Sequence, residues 1–212
     1  MIICAGDIEQ FDFAKPVGIG LENVAINLTR VCMLEKPSFL FFVGTVGSYG
    51  EKEIFEIVEA QKATQIEQSM TIGNAYTPLE DVVQGITSLE DMTDIDFSFF
   101  SDQYVSRETR QANDNSLSFV GLKPELSEQS VIVNSSNYIT TNETAGVWYR
   151  QKGIHLENME FYAVLKVAQK FGIPAAGAFV VTNYCNKEAH SDFMKHHQEA
   201  MDRLTQYIKE KI

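Results

Sequence analysis

The chain has 212 residues, 44% of them hydrophobic and 22% charged, and a formal net charge of −12. That length supports a substantial buried core in one globular domain over residues 1–212, and the acidic balance argues against a nucleic-acid partner. No apolar run approaches a membrane span, and the N-terminus lacks a basic region followed by an apolar stretch and a cleavage site, so a cytoplasmic protein without a membrane partner is expected.

Residues 1–5 are a short apolar run ahead of Gly6-Asp7, which predicts a first strand and its turn. Gly18-Ile19-Gly20 then precedes a helix with Leu21, Val24, Ala25, Leu28, Val31 and Cys32 on one face. After Pro37, residues 39–43 are wholly apolar and read as a buried strand running into Gly44-Thr45-Val46-Gly47-Ser48-Tyr49-Gly50. Strand, helix, strand and glycine-rich loop describe an α/β unit with a right-handed crossover. Glycines in such a loop let backbone N–H groups approach an anion or an attacking water, and Thr45 adds a hydroxyl; equally, Gly44 and Gly47 can simply shape a tight turn.

Residues 51–73 alternate and predict strands. Residues 75–121 are acidic and irregular, with Asp91, Asp94, Asp96 and Asp102 read as a solvated face, since they lack the ligand order of a calcium loop. Phe97, Phe99 and Phe100 need burial, here expected against a second subunit. Residues 131–133 form another apolar strand leading into Asn134-Ser135-Ser136-Asn137-Tyr138-Ile139-Thr140. Trp148 is read as packing, and Cys4, Cys32 and Cys185 as buried free thiols.

Residues 156–186 carry the strongest pattern. Val164, Leu165, Val167, Ala168 and Phe171 give a helix an apolar stripe, Gly172-Ile173-Pro174 stops it, and residues 175–181 are small and apolar on both faces, as in a covered central strand. Met159-Glu160 opens the helix and Thr182-Asn183 closes the strand, where open α/β sheets place ligands. A last helix is expected from about Asp192, capped by Ser191, with Phe193, His197, Met201, Leu204 and Ile208 on one face. His196 and His197 are adjacent and make a poor metal pair; no metal or cofactor is expected.

A Met-Glu pair entering a helix, then Gly-Ile-Pro, a strand and Thr-Asn, resembles the superfamily of purine nucleoside phosphorylases, uridine phosphorylases and methylthioadenosine/S-adenosylhomocysteine nucleosidases. The Gly-Ile-Gly before the first helix and the strand ending in a Gly-Thr-x-Gly loop occur in the same order. The resemblance covers roughly residues 1–50 and 131–212. It implies a three-layer α/β/α fold around a mixed, partly barrel-like sheet, and a homo-oligomer (dimer, trimer or hexamer).

The implied activity is cleavage of the N-glycosidic bond of a purine nucleoside. Glu160 and Met159 would hold the ribose, helped by His190 at its 5′ end. Tyr138, Ile139 and Asn183 would hold the base, and Gly6, Gly44 and Thr45 the phosphate or water. Asn183 stands where the nucleosidases carry an acid that protonates the base; an amide cannot do this, but suits a 6-oxopurine. The arginines that grip phosphate in hexameric phosphorylases are replaced by Gln10 and Phe42, with Arg30 and Arg150 as conceivable substitutes. Family naming favours a purine nucleoside phosphorylase. The alternatives are a hydrolase, for which Glu9 or Asp12 would activate water, or a member that binds nucleosides with impaired catalysis.

Overall fold

The computed structural model describes residues 1–78, 82–85 and 131–211. The acidic stretch and its three phenylalanines therefore lie outside the described residues. Nine strands form one mixed sheet among those described: β1 (Ile2–Cys4), β2 (Lys15–Pro16), β3 (Leu40–Ser48), β4 (Ile57–Ala60), β5 (Lys62–Thr64), β6 (Val82–Gln84), β7 (Ile132–Ser135), β8 (Leu156–Asn158) and β9 (Ala175–Tyr184). The helices are α1 (Leu21–Glu35), the single turn α2 (Gln68–Thr71), α3 (Glu143–Gln151), α4 (Phe161–Phe171) and α5 (Ala189–Lys211). None of them is long and apolar enough to cross a membrane.

The two apolar runs flanking the helices form the centre. β3 pairs in parallel with β9 from Leu40↔Ala175 to Ser48↔Tyr184, and every residue of β3 is buried. The sheet forks at β3. Its other edge carries β1 in parallel near Phe41 and Phe42, then β8 antiparallel at Gly47 and Ser48. From β8 the sheet continues through β7 and β5 to β6, while β4 closes the far side of β9. This fork opens a gap between the end of β1 and β8, beside a bulge at Val46/Gly47.

Helices cover both faces, giving the expected three-layer α/β/α arrangement with a central mixed sheet. On one face, Val24, Leu28 and Val31 of α1 and Val164, Leu165 and Ala168 of α4 pack on Ile3, Phe42 and Phe179. On the other, Met201, Leu204 and Ile208 of α5 pack on Phe41, Val43, Ala178 and Val180. Burying an aliphatic side chain of this size contributes roughly 1.5–3 kcal/mol, so these stripes fix how each helix lies on the sheet. Trp148 packs at the edge of a third cluster around Tyr49 and Tyr149, and the three cysteines are buried and free.

Two local expectations are corrected, and one strand is added to those expected. Residues 156–158, given no element of their own ahead of the helix that Met159-Glu160 opens, form strand β8, with Leu156, Glu157 and Asn158 all buried and paired with β3 and β7. The last helix begins at Ala189, so Ser191 lies within its first turn and donates to the carbonyl of Glu188 at 2.8 Å rather than capping it. Residues 51–73 are only partly strand: β4 and β5 are present, but residues 68–71 form a helical turn.

Candidate active site

The gap at the sheet fork is a cavity of about 290 Å³. Ala5, Gly6, Ile8 and Glu9 follow β1 into its wall, Thr45, Val46 and Gly47 come from β3, and Tyr138 and Ile139 from the loop after β7. Residues 157–160, Thr182 and Asn183, and Ala189, His190 and Phe193 complete it. Of the residues assigned above to the ribose, the base, and the phosphate or water, only Gly44 is not part of the wall. It lies behind Glu9, where an added Cβ would stand 3.0 Å from Glu9 Oε2.

Glu9 is set by a tight turn in which Gly6 and Glu9 exchange backbone hydrogen bonds. Its carboxylate accepts the backbone N–H of Thr45 at 3.2 Å and the Thr45 hydroxyl. Burial pushes its pKa up, and the two bonds from Thr45 pull it partly back. Thr45 therefore serves as a donor to this carboxylate. Asp12 is exposed and lies outside the wall.

Glu160 is 5% exposed. Its Oε1 accepts the backbone N–H of Gly20 at 3.1 Å and its Oε2 that of Met159 at 3.0 Å. Burial, and then the charge of Glu9, raise its pKa to about 8. Glu160 is free to face the cavity because Asn158 takes the capping work at the start of α4. Asn158 Oδ1 accepts from the N–H groups of Glu160 at 3.3 Å and Phe161 at 3.2 Å, and from Ser135 Oγ at 2.8 Å. Met159 sits beside Glu160 in the wall.

At the other end, Thr182 Oγ1 donates to Asn183 Oδ1 at 2.9 Å, and Asn183 Nδ2 lies 3.2 Å from the Tyr184 carbonyl. This fixes which face of the amide carries the donor. Gly47 is required here for close approach: a Cβ would stand 2.9 Å from Cys185 Sγ and 3.0 Å from Asn183 Nδ2. Tyr138 and Ile139 flank the mouth, 71% and 53% exposed, and His190 is exposed on the first turn of α5.

Two wall residues lacked a sequence signal for a site role. Glu157 is buried on β8, with Oε1 accepting the Thr140 N–H and Oε2 the Tyr49 hydroxyl, each at 2.8 Å. Asn158 precedes the Met-Glu pair, and an Asx residue three positions ahead of an apolar helix was the signal available for its capping role.

The cavity wall contains no lysine or arginine among the described residues. Phe42 is core, packed between Phe161 and Phe179, and Gln10 is exposed. Arg30 is exposed on α1, and Arg150 donates to the Tyr49 carbonyl at 3.3 Å. No group of three or more His, Cys, Asp or Glu among the described residues is arranged to hold a metal ion.

Solved structures share this fold. A futalosine hydrolase mutant of Helicobacter pylori superposes with a TM-score of 0.69 at 14% identity, covering 99% of this chain and 96% of that one. An H. pylori methylthioadenosine nucleosidase mutant holding 5′-methylthioadenosine in its active site gives 0.68, 14%, 99% and 96%. A Streptococcus pneumoniae MTA/SAH nucleosidase with 8-aminoadenine gives 0.64, 13%, 98% and 95%. No curated protein sequence matches significantly. The model of the phosphorylase superfamily matches residues 3–212, and the chain belongs to that family, whose members act on N-glycosidic bonds.

Proposed function

We propose that the chain hydrolyses the N-glycosidic bond of a purine nucleoside, with water and not phosphate as nucleophile. One observation carries this choice: Glu9 stands in a wall that holds two further carboxylates, Glu157 and Glu160, and no lysine or arginine. A phosphate dianion placed there finds no cationic, bidentate partner. Water meets a base. The solved structures named above, two nucleosidases and a hydrolase, support the same choice.

The transition state is a ribosyl cation, so catalysis requires a held sugar, a stabilised leaving base and an aligned nucleophile. Glu160 hydrogen-bonds the vicinal hydroxyls and, in its ionised form, offsets the developing positive charge, Met159 lies against the sugar, and His190 faces its 5′ end. Water on the Glu9 side gives its proton to Glu9 as its oxygen bonds C1′. The C1′–N bonding pair departs with the purine, which is held by Asn183 between Tyr138 and Ile139 and takes up a proton from solvent. The apolar rim formed by Ile8, Ile19, Tyr138 and Ile139, all exposed, suits coverage by a second copy of the chain.

The test is release of purine from inosine, adenosine and 5′-methylthioadenosine. Glu9→Gln should lower the rate on the best of them by about 10²–10⁴-fold, the usual worth of a general base. Undiminished turnover would remove Glu9 from the reaction.

A further inference from the structure

β9 does not follow β3 residue for residue to its end. Val46 pairs with Val181 and Gly47 with Asn183, so Thr182 is an extra residue, bulged from the ladder. That one residue decides where Asn183 points. Side chains alternate along a strand, and a regular register, Gly47 with Thr182, would turn the Asn183 amide to the opposite face of the sheet. With the bulge in place, Asn183 lines the cavity.

A bulge needs its displaced backbone groups paired. His196 Nδ1, on α5 three residues beyond the cavity-lining Phe193, lies 2.8 Å from the Thr182 carbonyl oxygen. A carbonyl only accepts, so the contact places the ring proton on Nδ1. Thr182 is 1% exposed, which leaves water little access as a substitute donor. Next to it, the Val181 carbonyl accepts the Phe55 N–H at 2.8 Å. Phe55 holds a φ of 68°, uncommon for a residue with a side chain. Its ring meets His196 edge-on, 5.2 Å between centroids, and the Arg203 guanidinium stands 4.5 Å from its centre. One imidazole therefore serves both carbonyls, Thr182 directly and Val181 through Phe55.

We infer that His196 is a positioning residue: it holds the bulge of β9, and through the bulge keeps the Asn183 amide in the cavity wall. His196 is not part of the wall itself. Its role is the same whichever base the cavity receives, and only the turnover readout below rests on the hydrolase reading.

Two variants separate the proton donor from the ring. His196→Phe keeps a ring against Phe55 and removes the donor, while His196→Asn removes the ring and puts an amide nitrogen where Nδ1 stands. Amide hydrogen exchange over residues 179–186 of the intact protein, and kcat and KM on the best of the three nucleosides above, read the outcome. In His196→Phe, exchange over this segment should speed at least about tenfold, and kcat should fall at least about tenfold with KM within about threefold. His196→Asn should stay within about threefold of wild type in both, because the carbonyl keeps a donor.

A ring with a purely packing role predicts the reverse order, with His196→Asn the more damaged variant, and that order would overturn the inference. So would wild-type exchange in His196→Phe. If neither variant folds, nitrogen NMR of the wild-type histidines still decides. The neutral His196 ring should carry its proton on Nδ1, and an Nε2–H tautomer would overturn the role. A wild type that cleaves no nucleoside would remove the hydrolase reading alone, leaving exchange and the tautomer to decide the role of His196.

Discussion

Glu160 Oε1 accepts the backbone N–H of Gly20 at 3.1 Å, across 140 positions of sequence. The contact ties the loop ahead of α1 to the entry of α4. Gly20 adopts φ 84°, and a Cβ there would meet Asn137 Oδ1 at 2.9 Å, so a side-chain-free residue lets this N–H reach the carboxylate. A glutamate serving only as a favourable charge at a helix start would need no such partner.

Glu160→Gln is therefore expected to abolish nucleoside cleavage and to weaken nucleoside binding. Losing a charge-assisted bond to a sugar hydroxyl costs about 1.5–3 kcal/mol, or roughly tenfold to a hundredfold in affinity. Calorimetric titration with inosine reads the loss, and unchanged affinity would reduce Glu160 to a helix-end charge.

Glu160 also predicts the sign of the pH dependence of stability. Its pKa is raised from 4.5 in the unfolded chain to about 8 in the folded one, by burial first and by Glu9 second. Between these values the folded protein holds a proton that the unfolded chain releases, so stability is lost as pH rises from 4.5 through 8. Glu9 and Glu157, also raised, act in the same direction. Thermal unfolding of the wild type should show Tm falling over this window, and less steeply in Glu160→Gln. Equal slopes would mean that Glu160 titrates alike in both states.

The sequence made some of this legible. β3 and β9 are apolar on both faces, and a covered central strand is the arrangement that needs that pattern. The stripe on α4 and the Gly172 stop, at φ 64°, are likewise local properties. β8 was not legible, because its three residues are Leu, Glu and Asn, and a buried polar strand lacks the alternation that marks a strand. The partners of the site carboxylates were hidden for a different reason. Glu9 meets Thr45 36 positions away and Glu157 meets Tyr49 108 positions away, contacts made only by the forked sheet. Asn183 and Glu160 were found through motif order, which names residues but not their hydrogen bonds.

Asn183→Asp tests the base end. The wild-type amide cannot protonate a leaving base, so inosine should be cleaved faster than adenosine, by about tenfold to a hundredfold where a wrong pairing leaves a polar group unsatisfied. In the variant, Thr182 can still donate to the carboxylate, while a protonated carboxyl can pass a proton to the purine. The preference should move towards adenosine, and further so at low pH where the acid is protonated. Release of hypoxanthine and adenine by both proteins is the measurement, and an unaltered ratio would take Asn183 out of the base site.

The central claim is that an acidic cavity lacking lysine and arginine delivers water to C1′. Incubating the protein with inosine, in buffer with and without phosphate, and identifying the sugar released tests it most directly. Free ribose is expected, formed at a rate indifferent to phosphate. Ribose 1-phosphate, or a reaction that proceeds only when phosphate is added, would contradict it.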